Sequence, residues 1–282
     1  MKISVAYLGI PGSNSEQAAR KYFGNGDEIT DISARSFVDI FDAVESGHAN
    51  FGVLPLENSL AGTVAQSYEL LTRHENIHVV GEIILPIEHA LMALPGVRLE
   101  DIRYVRSHPQ ALAQCEIFLK EHNIESIEWY NTAGSARDLA GEKLTDTAAI
   151  ASPDVADIFG LNIIAENIQD IPENYTRFLV LSKQTGERSP EANKTSLVFT
   201  TRHEPGALVN CLLTISNNGL NLTKIESRPL RHTPWQYCFH IDFEGHIEDH
   251  NAQKALDELR QKASMVRVIG SYPAAEELRK RV

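Results

Sequence analysis

The chain has 282 residues, a length that suits two domains, or one two-lobed domain with a smaller companion. Hydrophobic residues make up 43% and charged residues 23%, a globular balance that excludes disordered, collagenous and coiled-coil chains. With 26 Lys+Arg against 38 Asp+Glu the formal net charge is -12, which leaves no basic surface for nucleic acid or an anionic membrane; an anionic substrate would need local basic groups or helix N-termini.

Lys2 to Leu8 reads as a strand ending in Gly9-Ile10-Pro11-Gly12. Ser13 stands three residues before Glu16, a capping-box pattern that opens a helix through about Phe23. The opening apolar run is too short for a signal-peptide core and no small-residue cleavage site follows it, so a cytoplasmic protein is expected. Phe37, Ile40, Phe41 and Val44 follow helical spacing, with Gly47 at the C-cap, and Phe51 to Leu54 reads as the next strand. The stretch from Val79 to Val97 is apolar but interrupted by Glu82, Pro86, Glu88, His89 and Pro95, so no membrane span is expected. The rhythm continues with a strand at Arg103–Arg106, a helix at Ala111–His122, a strand at Ser126–Trp129, a helix at Ala133–Lys143 and a strand at Ala148–Ala151. Such alternation predicts parallel sheets covered by helices, with ligands beyond the carboxyl ends of the strands.

Residues 184–193 are polar, contain Gly and Pro, and read as a linker. Beyond it the pattern changes. A strand at Thr195–Thr201 precedes a helix marked by Leu208, Leu212 and Ile215 that stops near Gly219. Asn221–Leu230 is extended, and Tyr237, Phe239, Ile241 and Phe243 alternate as in a half-buried strand. Ala252, Ala255, Leu256, Leu259 and Ala263 mark a second helix, and Val266–Tyr272 a last strand. The order β-α-β-β-α-β is ferredoxin-like. The expected division is therefore 1–183, a linker at 184–193, a second domain at 194–275 and a tail at 276–282.

Several sites of chemistry are missing. The phosphate-binding glycine loops and the Gly-x-Ser-x-Gly elbow do not occur. His246 and His250 have the spacing of a zinc helix, but the glutamate between them is one place late and the segment reads as a solvated loop. Cys115, Cys211 and Cys238 are widely spaced with no Cys-x-x-Cys, which points to buried thiols in a reducing compartment. What remains is a set of polar loops, each next to a predicted strand: 9–16, 55–62, 107–110, 131–134 and 174–178. Free N–H groups and hydroxyls at helix N-termini suit carboxylates, although each loop alone reads equally well as an N-cap. Only the last loop holds an arginine, and an Arg–carboxylate pair is worth roughly 1.5–3 kcal/mol when partly desolvated.

Along nearly its whole length the chain resembles prephenate dehydratases with a C-terminal ACT domain. The match is carried by Pro55-Leu56-Glu57-Asn58-Ser59, Ser107-His108-Pro109-Gln110-Ala111-Leu112, Asn131-Thr132-Ala133, Thr176-Arg177-Phe178 and Leu222-Thr223-Lys224-Ile225-Glu226-Ser227-Arg228-Pro229. The resemblance implies an α/β fold with a bilobal, periplasmic-binding-protein-like catalytic region and a ferredoxin-like ACT domain. It implies the conversion of prephenate to phenylpyruvate without metal or cofactor. It places Thr176 at the leaving hydroxyl, Arg177 on a carboxylate and Phe178 against the ring or the lobe hinge. Glu57 is expected to relay a proton or to anchor its loop. Asn58, Ser59, Gly62, Ser107, Gln110, Asn131, Thr132 and Ala133 are expected around the substrate. In the ACT domain, Gly206, Ala207, Leu208, Val209, Asn221, Glu226, Ser227 and Arg228 are expected to bind L-phenylalanine as a feedback inhibitor at the interface of a homodimer, itself half of a tetramer. The first loop, Ile10-Pro11-Gly12-Ser13-Asn14-Ser15, is closer to plastid arogenate dehydratases, so arogenate is an alternative substrate. A non-catalytic amino-acid sensor is the alternative from another class.

Overall fold

The computed structural model describes residues 2–24, 29–186, 188–230, 233 and 235–275; the expected tail, 276–282, lies outside these. The chain starts with β1 (Ile3–Leu8) and α1 (Asn14–Phe23). Ser13 caps α1 by accepting the Glu16 N–H at 3.3 Å, while the Glu16 carboxylate takes the Gly12 N–H at 2.5 Å in place of the reciprocal capping bond. β2 (Ile29–Ala34), α2 (Phe37–Glu45), β3 (Phe51–Asn58), β4 (Gly62–Thr63), α3 (Ala65–Arg73) and β5 (His78–Pro86) complete the outward half of the first lobe.

The chain then crosses into a second lobe of β6 (Ala90–Ala93), β7 (Tyr104–Ser107), α4 (Pro109–Ala113), α5 (Glu116–Glu121), β8 (Glu125–Glu128), α6 (Thr132–Glu142), β9 (Thr147–Ala151), α7 (Asp154–Phe159) and β10 (Asn162–Ala165). It returns through β11 (Tyr175–Ser182) to the first sheet, whose order is β2-β1-β3-β11-β5. The second sheet runs β10-β6-β9-β7-β8. Both are mixed, where alternation predicted parallel sheets. β11 lies antiparallel between β3 and β5, and β6 is antiparallel to β9 and β10. The cause is the double crossing: β5 leaves the first lobe and β11 re-enters it, so the connecting strands run in opposite directions. The helix expected over Ala111–His122 is two short helices, α4 and α5, broken at Gln114 and Cys115.

β12 (Ala192–Thr201), α8 (Ala207–Asn217), β13 (Leu222–Pro229), β14 (Tyr237–Glu244), α9 (His250–Lys262) and β15 (Ala263–Pro273) follow in βαββαβ order, with sheet order β13-β14-β12-β15. β12 begins inside the stretch read as a linker, because Ala192 is buried and pairs with Pro273 of β15. α8 and α9 cover one face of this sheet around Phe199, Ile241 and Phe243. The other face is not solvated. Val198, Cys238, Ile269 and Tyr272 share one core with Leu71, Val79 and Leu181 of the first lobe. A side chain at Gly270 would overlap the carbonyl oxygen of Val79, so β15 and β5 approach backbone to backbone, as only glycine permits.

Candidate active site

β3 ends and β11 begins at the same edge of the first sheet, with Thr176 opposite Asn58 and Arg177 opposite Glu57. Side chains alternate across a strand, so the two pairs face opposite ways. On one face the Asn58 side-chain amide donates to the Thr176 hydroxyl oxygen at 3.0 Å and to the Tyr175 carbonyl at 3.2 Å. Asn58 is held in place because its carbonyl oxygen accepts the backbone N–H groups of Leu60 and Ala61 at 3.1 and 2.8 Å. With its oxygen already accepting, the Thr176 hydroxyl has its proton free to donate.

On the other face, Arg177 is buried. It donates to Glu82 at 2.7 Å, Asp242 at 2.8 Å and Glu57 at 3.4 Å. Lys194 reaches Glu82 at 2.9 Å, Ser196 donates to Asp242, and Lys224 pairs with Glu57. Burial opposes the Arg177 charge, but Asp242 and Glu82 raise its pKa well above the ordinary value. Burial would likewise raise the Asp242 carboxyl, which Arg177 and Lys194 hold below its usual range. Arg177 is thus sealed among protein carboxylates between the first lobe and the C-terminal sheet, not turned to a substrate carboxylate as expected. Glu57 faces the same way, occupied by two cations, and is not placed to relay a proton to Thr176. Phe178 is 1% exposed in the core with Val5, Tyr7 and Ile83, so it packs within the lobe rather than on a ring in a cleft.

Other expected residues have local partners. The Ser59 hydroxyl accepts the Tyr175 N–H at 2.9 Å and fastens its loop to β11. Gly62, in a left-handed conformation, makes the turn opposite Asn58. Ser107 is fully buried and spends its proton on the Ile150 carbonyl at 2.6 Å. Gln110 is exposed on α4, its backbone N–H taken by the His108 imidazole at 3.2 Å. Asn131 caps α6 through the Gly134 N–H; Thr132 is half-buried in the first turn and Ala133 is buried. Among the described residues, no hydrogen bond joins Asn131, Thr132 or Ala133 to Asn58 or Thr176.

Two residues that the sequence reading did not single out, Asn174 of the 174–178 loop and Gln114, do join the site. Asn174 is buried and accepts from Asn58 at 2.7 Å; its own amide donates to Gln114 at 3.1 Å. Gln114 sits at the break between α4 and α5, which brings the second lobe to the Thr176 edge of the first. Gln110 and Gln114 share a helical face, so periodicity could not choose between them. The lobes also touch where Gln17 donates to Ser152 at 2.7 Å and Gly12 packs on Val155. All three cysteines are buried, and burial pushes the Cys115 thiol up to about 12.

In the C-terminal unit, Gly206 caps α8 in the left-handed region, Ala207 is buried, Leu208 half-buried and Val209 exposed. The Asn221 carbonyl accepts the Glu244 N–H at 3.0 Å. β13 is an edge strand whose residues alternate. Glu226 accepts from Thr63 at 3.2 Å and pairs with Arg228 at 3.5 Å, so both turn toward the first lobe, whereas Ser227 and Ile225 are exposed. The eight residues expected at one effector site therefore divide between two faces.

A two-lobed α/β fold with a polar edge between the lobes, backed by a βαββαβ unit, is the frame of a protein that acts on small molecules. The chain belongs to the prephenate dehydratase family, and with it to the carbon–oxygen lyases: the family model of prephenate dehydratase matches residues 5–186. Arogenate dehydratase/prephenate dehydratase 2, chloroplastic, of Arabidopsis thaliana is 44% identical over 284 residues, covering 96% of this chain and 73% of that protein. The structure of prephenate dehydratase in complex with L-Phe from Arthrobacter aurescens superposes with a TM-score of 0.87 at 33% identity, over 96% of this chain and 90% of that one. A structure described as GqqA, a novel type of quorum quenching acylases, also has a TM-score of 0.87, at 32% identity over 96% of this chain and 98% of that one. Among the described residues no helix is long and apolar enough to cross a membrane.

Proposed function

We propose that this chain converts prephenate to phenylpyruvate, with residues 1–183 as the catalytic region, 184–193 as a linker and 194–275 as a regulatory ACT domain. The carrying observation is the Thr176 hydroxyl, whose oxygen accepts from Asn58 so that its proton is left to donate. Prephenate loses its ring carboxylate as carbon dioxide, and the electron pair of the broken carbon–carbon bond enters the ring. The para hydroxyl leaves with the other electron pair and takes up one proton, giving water. Aromatisation drives the step, so the protein needs to orient two carboxylates and assist the leaving oxygen. Thr176 supplies the hydrogen bond to the leaving oxygen; because an alcohol is too weak an acid to give up its proton outright, the proton that completes water is relayed through it from water. With Arg177 committed elsewhere, the substrate carboxylates fall to N–H donors and amides, and the candidates are the first turn of α6 at Thr132 and Ala133 and the Gln114 side-chain NH2, which has no hydrogen-bond partner among the described residues.

The effector is L-phenylalanine, bound in the cytoplasm by the C-terminal unit of a homodimer, two of which form a tetramer; that the Arthrobacter aurescens structure is a complex with L-Phe supports the choice of ligand. Exposed Val209, Leu213 and Ile225 on this unit support an interface with a second copy. A second reading, arogenate as substrate, is favoured by the Arabidopsis thaliana relative, whose name carries both activities. The test follows phenylpyruvate from prephenate and phenylalanine from arogenate, each with and without L-phenylalanine. Prephenate turnover suppressed by phenylalanine supports the proposal, preference for arogenate moves the substrate, and turnover of neither overturns it.

A further inference from the structure

The orientation of the Asn58 amide is set by backbone, not by choice, because Leu60 N–H and Ala61 N–H identify its oxygen. Everything beyond it follows. The Asn58 nitrogen faces Asn174, so the atom it meets at 2.7 Å is the Asn174 oxygen. The Asn174 nitrogen then faces Gln114 at 3.1 Å, so the atom there is the Gln114 oxygen. That same oxygen lies 2.9 Å from His89 Nε2, which must carry a hydrogen. His89 is 3% exposed, and its Nδ1 is buried with no hydrogen-bond partner among the described residues. A neutral imidazole with its hydrogen on Nε2 satisfies this geometry, whereas a hydrogen on Nδ1 would be buried unpaired.

His89 also sits where the chain crosses between lobes. Its backbone N–H donates to Gln169 at 3.0 Å, and its carbonyl accepts from Ile168 at 3.0 Å, on the returning segment. Among the described residues, the Gln114 side-chain nitrogen has no hydrogen-bond partner. Two donors on the Gln114 oxygen therefore leave its NH2 pointing away from the chain of bonds.

We infer that His89 is a positioning residue for the reaction: by donating from Nε2 to the Gln114 oxygen at the lobe crossing, it fixes the Gln114 side chain and so holds that oxygen on Asn174 and, through Asn174, Asn58 at the Thr176 hydroxyl. This rests on Thr176 being the donor to the leaving hydroxyl. It places no part of His89 on the substrate, so the effect of its removal on kcat acts through Thr176.

The test compares His89→Phe and His89→Gln in the full chain, each with native Thr176 and with Thr176→Ala, using prephenate turnover and the thermal midpoint. His89→Phe lowers kcat about tenfold, a fraction of the roughly 10²–10⁴-fold worth of general-acid help. His89→Gln, which keeps a donor, restores most of it. In the Thr176→Ala background His89→Phe changes kcat by less than about twofold. Equal losses in both backgrounds, or native kcat in His89→Phe, would overturn the inference. An unchanged rate for Thr176→Ala alone would instead refute the role of Thr176. Should His89→Phe fail to fold, the 15N spectrum of the native protein decides: a hydrogen on Nε2 supports the chain of bonds, and one on Nδ1 excludes it.

Discussion

Thr176 and Arg177 are neighbours that serve opposite faces of one strand: the hydroxyl meets Asn58 at 3.0 Å, while the guanidinium meets Asp242 of the C-terminal sheet at 2.8 Å. Glu57 and Asn58 repeat the division on the adjacent strand. The strand ends that carry the proposed chemistry are therefore gripped from behind by the unit proposed to bind the effector. A rearrangement of that unit need not cross the lobe to reach Thr176; it pulls on the residue next to it.

Arg177→Met tests whether this arginine is an anchor. Removing it leaves Glu82 and Asp242 buried with Lys194 as their remaining cation, and breaking a buried pair costs about 3–5 kcal/mol. Urea unfolding is expected to show that loss, with KM for prephenate in the folded enzyme little changed. Full stability with a steep rise in KM would return Arg177 to the substrate.

Lys224 joins β13 to Glu57 across the interface. Lys224→Met is expected to weaken inhibition by L-phenylalanine about tenfold, within the usual range of coupling energies, while leaving kcat without effector near native. Inhibition curves for the two proteins check this directly.

Gly270→Val forces a side chain against the Val79 carbonyl. Overpacking of this kind costs roughly 1–3 kcal/mol, and here it separates β15 from β5. A lowered thermal midpoint together with reduced sensitivity to L-phenylalanine is expected.

His240 supplies a pH dependence. Burial lowers its pKa to about 4; Asp242 pulls the other way, and Arg267, Arg228 and Lys224 add to the fall. The unfolded chain, with an ordinary histidine near 6.5, binds more protons than the folded one between those values, so stability declines as the pH drops from about 6.5 to about 4. The loss is on the order of 3 kcal/mol at 1.36 kcal/mol per unit. His240→Gln is expected to flatten stability over that window in denaturant titrations.

Much of this architecture was legible in the sequence, and the failures have physical causes. Ser13, Gly47 and Gly219 marked helix ends that the structure keeps, because capping and left-handed turns are local. The antiparallel β11 was not legible, since strand direction depends on where the chain crosses between lobes. The polar loops could be placed beside strands, but what Arg177 and Glu57 face depends on a sheet whose contacting residues lie 65 and 167 positions further along the chain. Asn174 was read only as part of its polar loop and Gln114 not at all, because one precedes a strand and the other breaks a helix, positions with no periodic signal.

The most direct test of the account is the turnover of prephenate by Thr176→Ala and Thr176→Ser beside the native enzyme, with folding confirmed by circular dichroism. The account predicts that alanine lowers kcat by about 10²–10⁴-fold with little change in KM, and that serine, which keeps the hydroxyl, retains much of the rate. Near-native turnover by Thr176→Ala would contradict it.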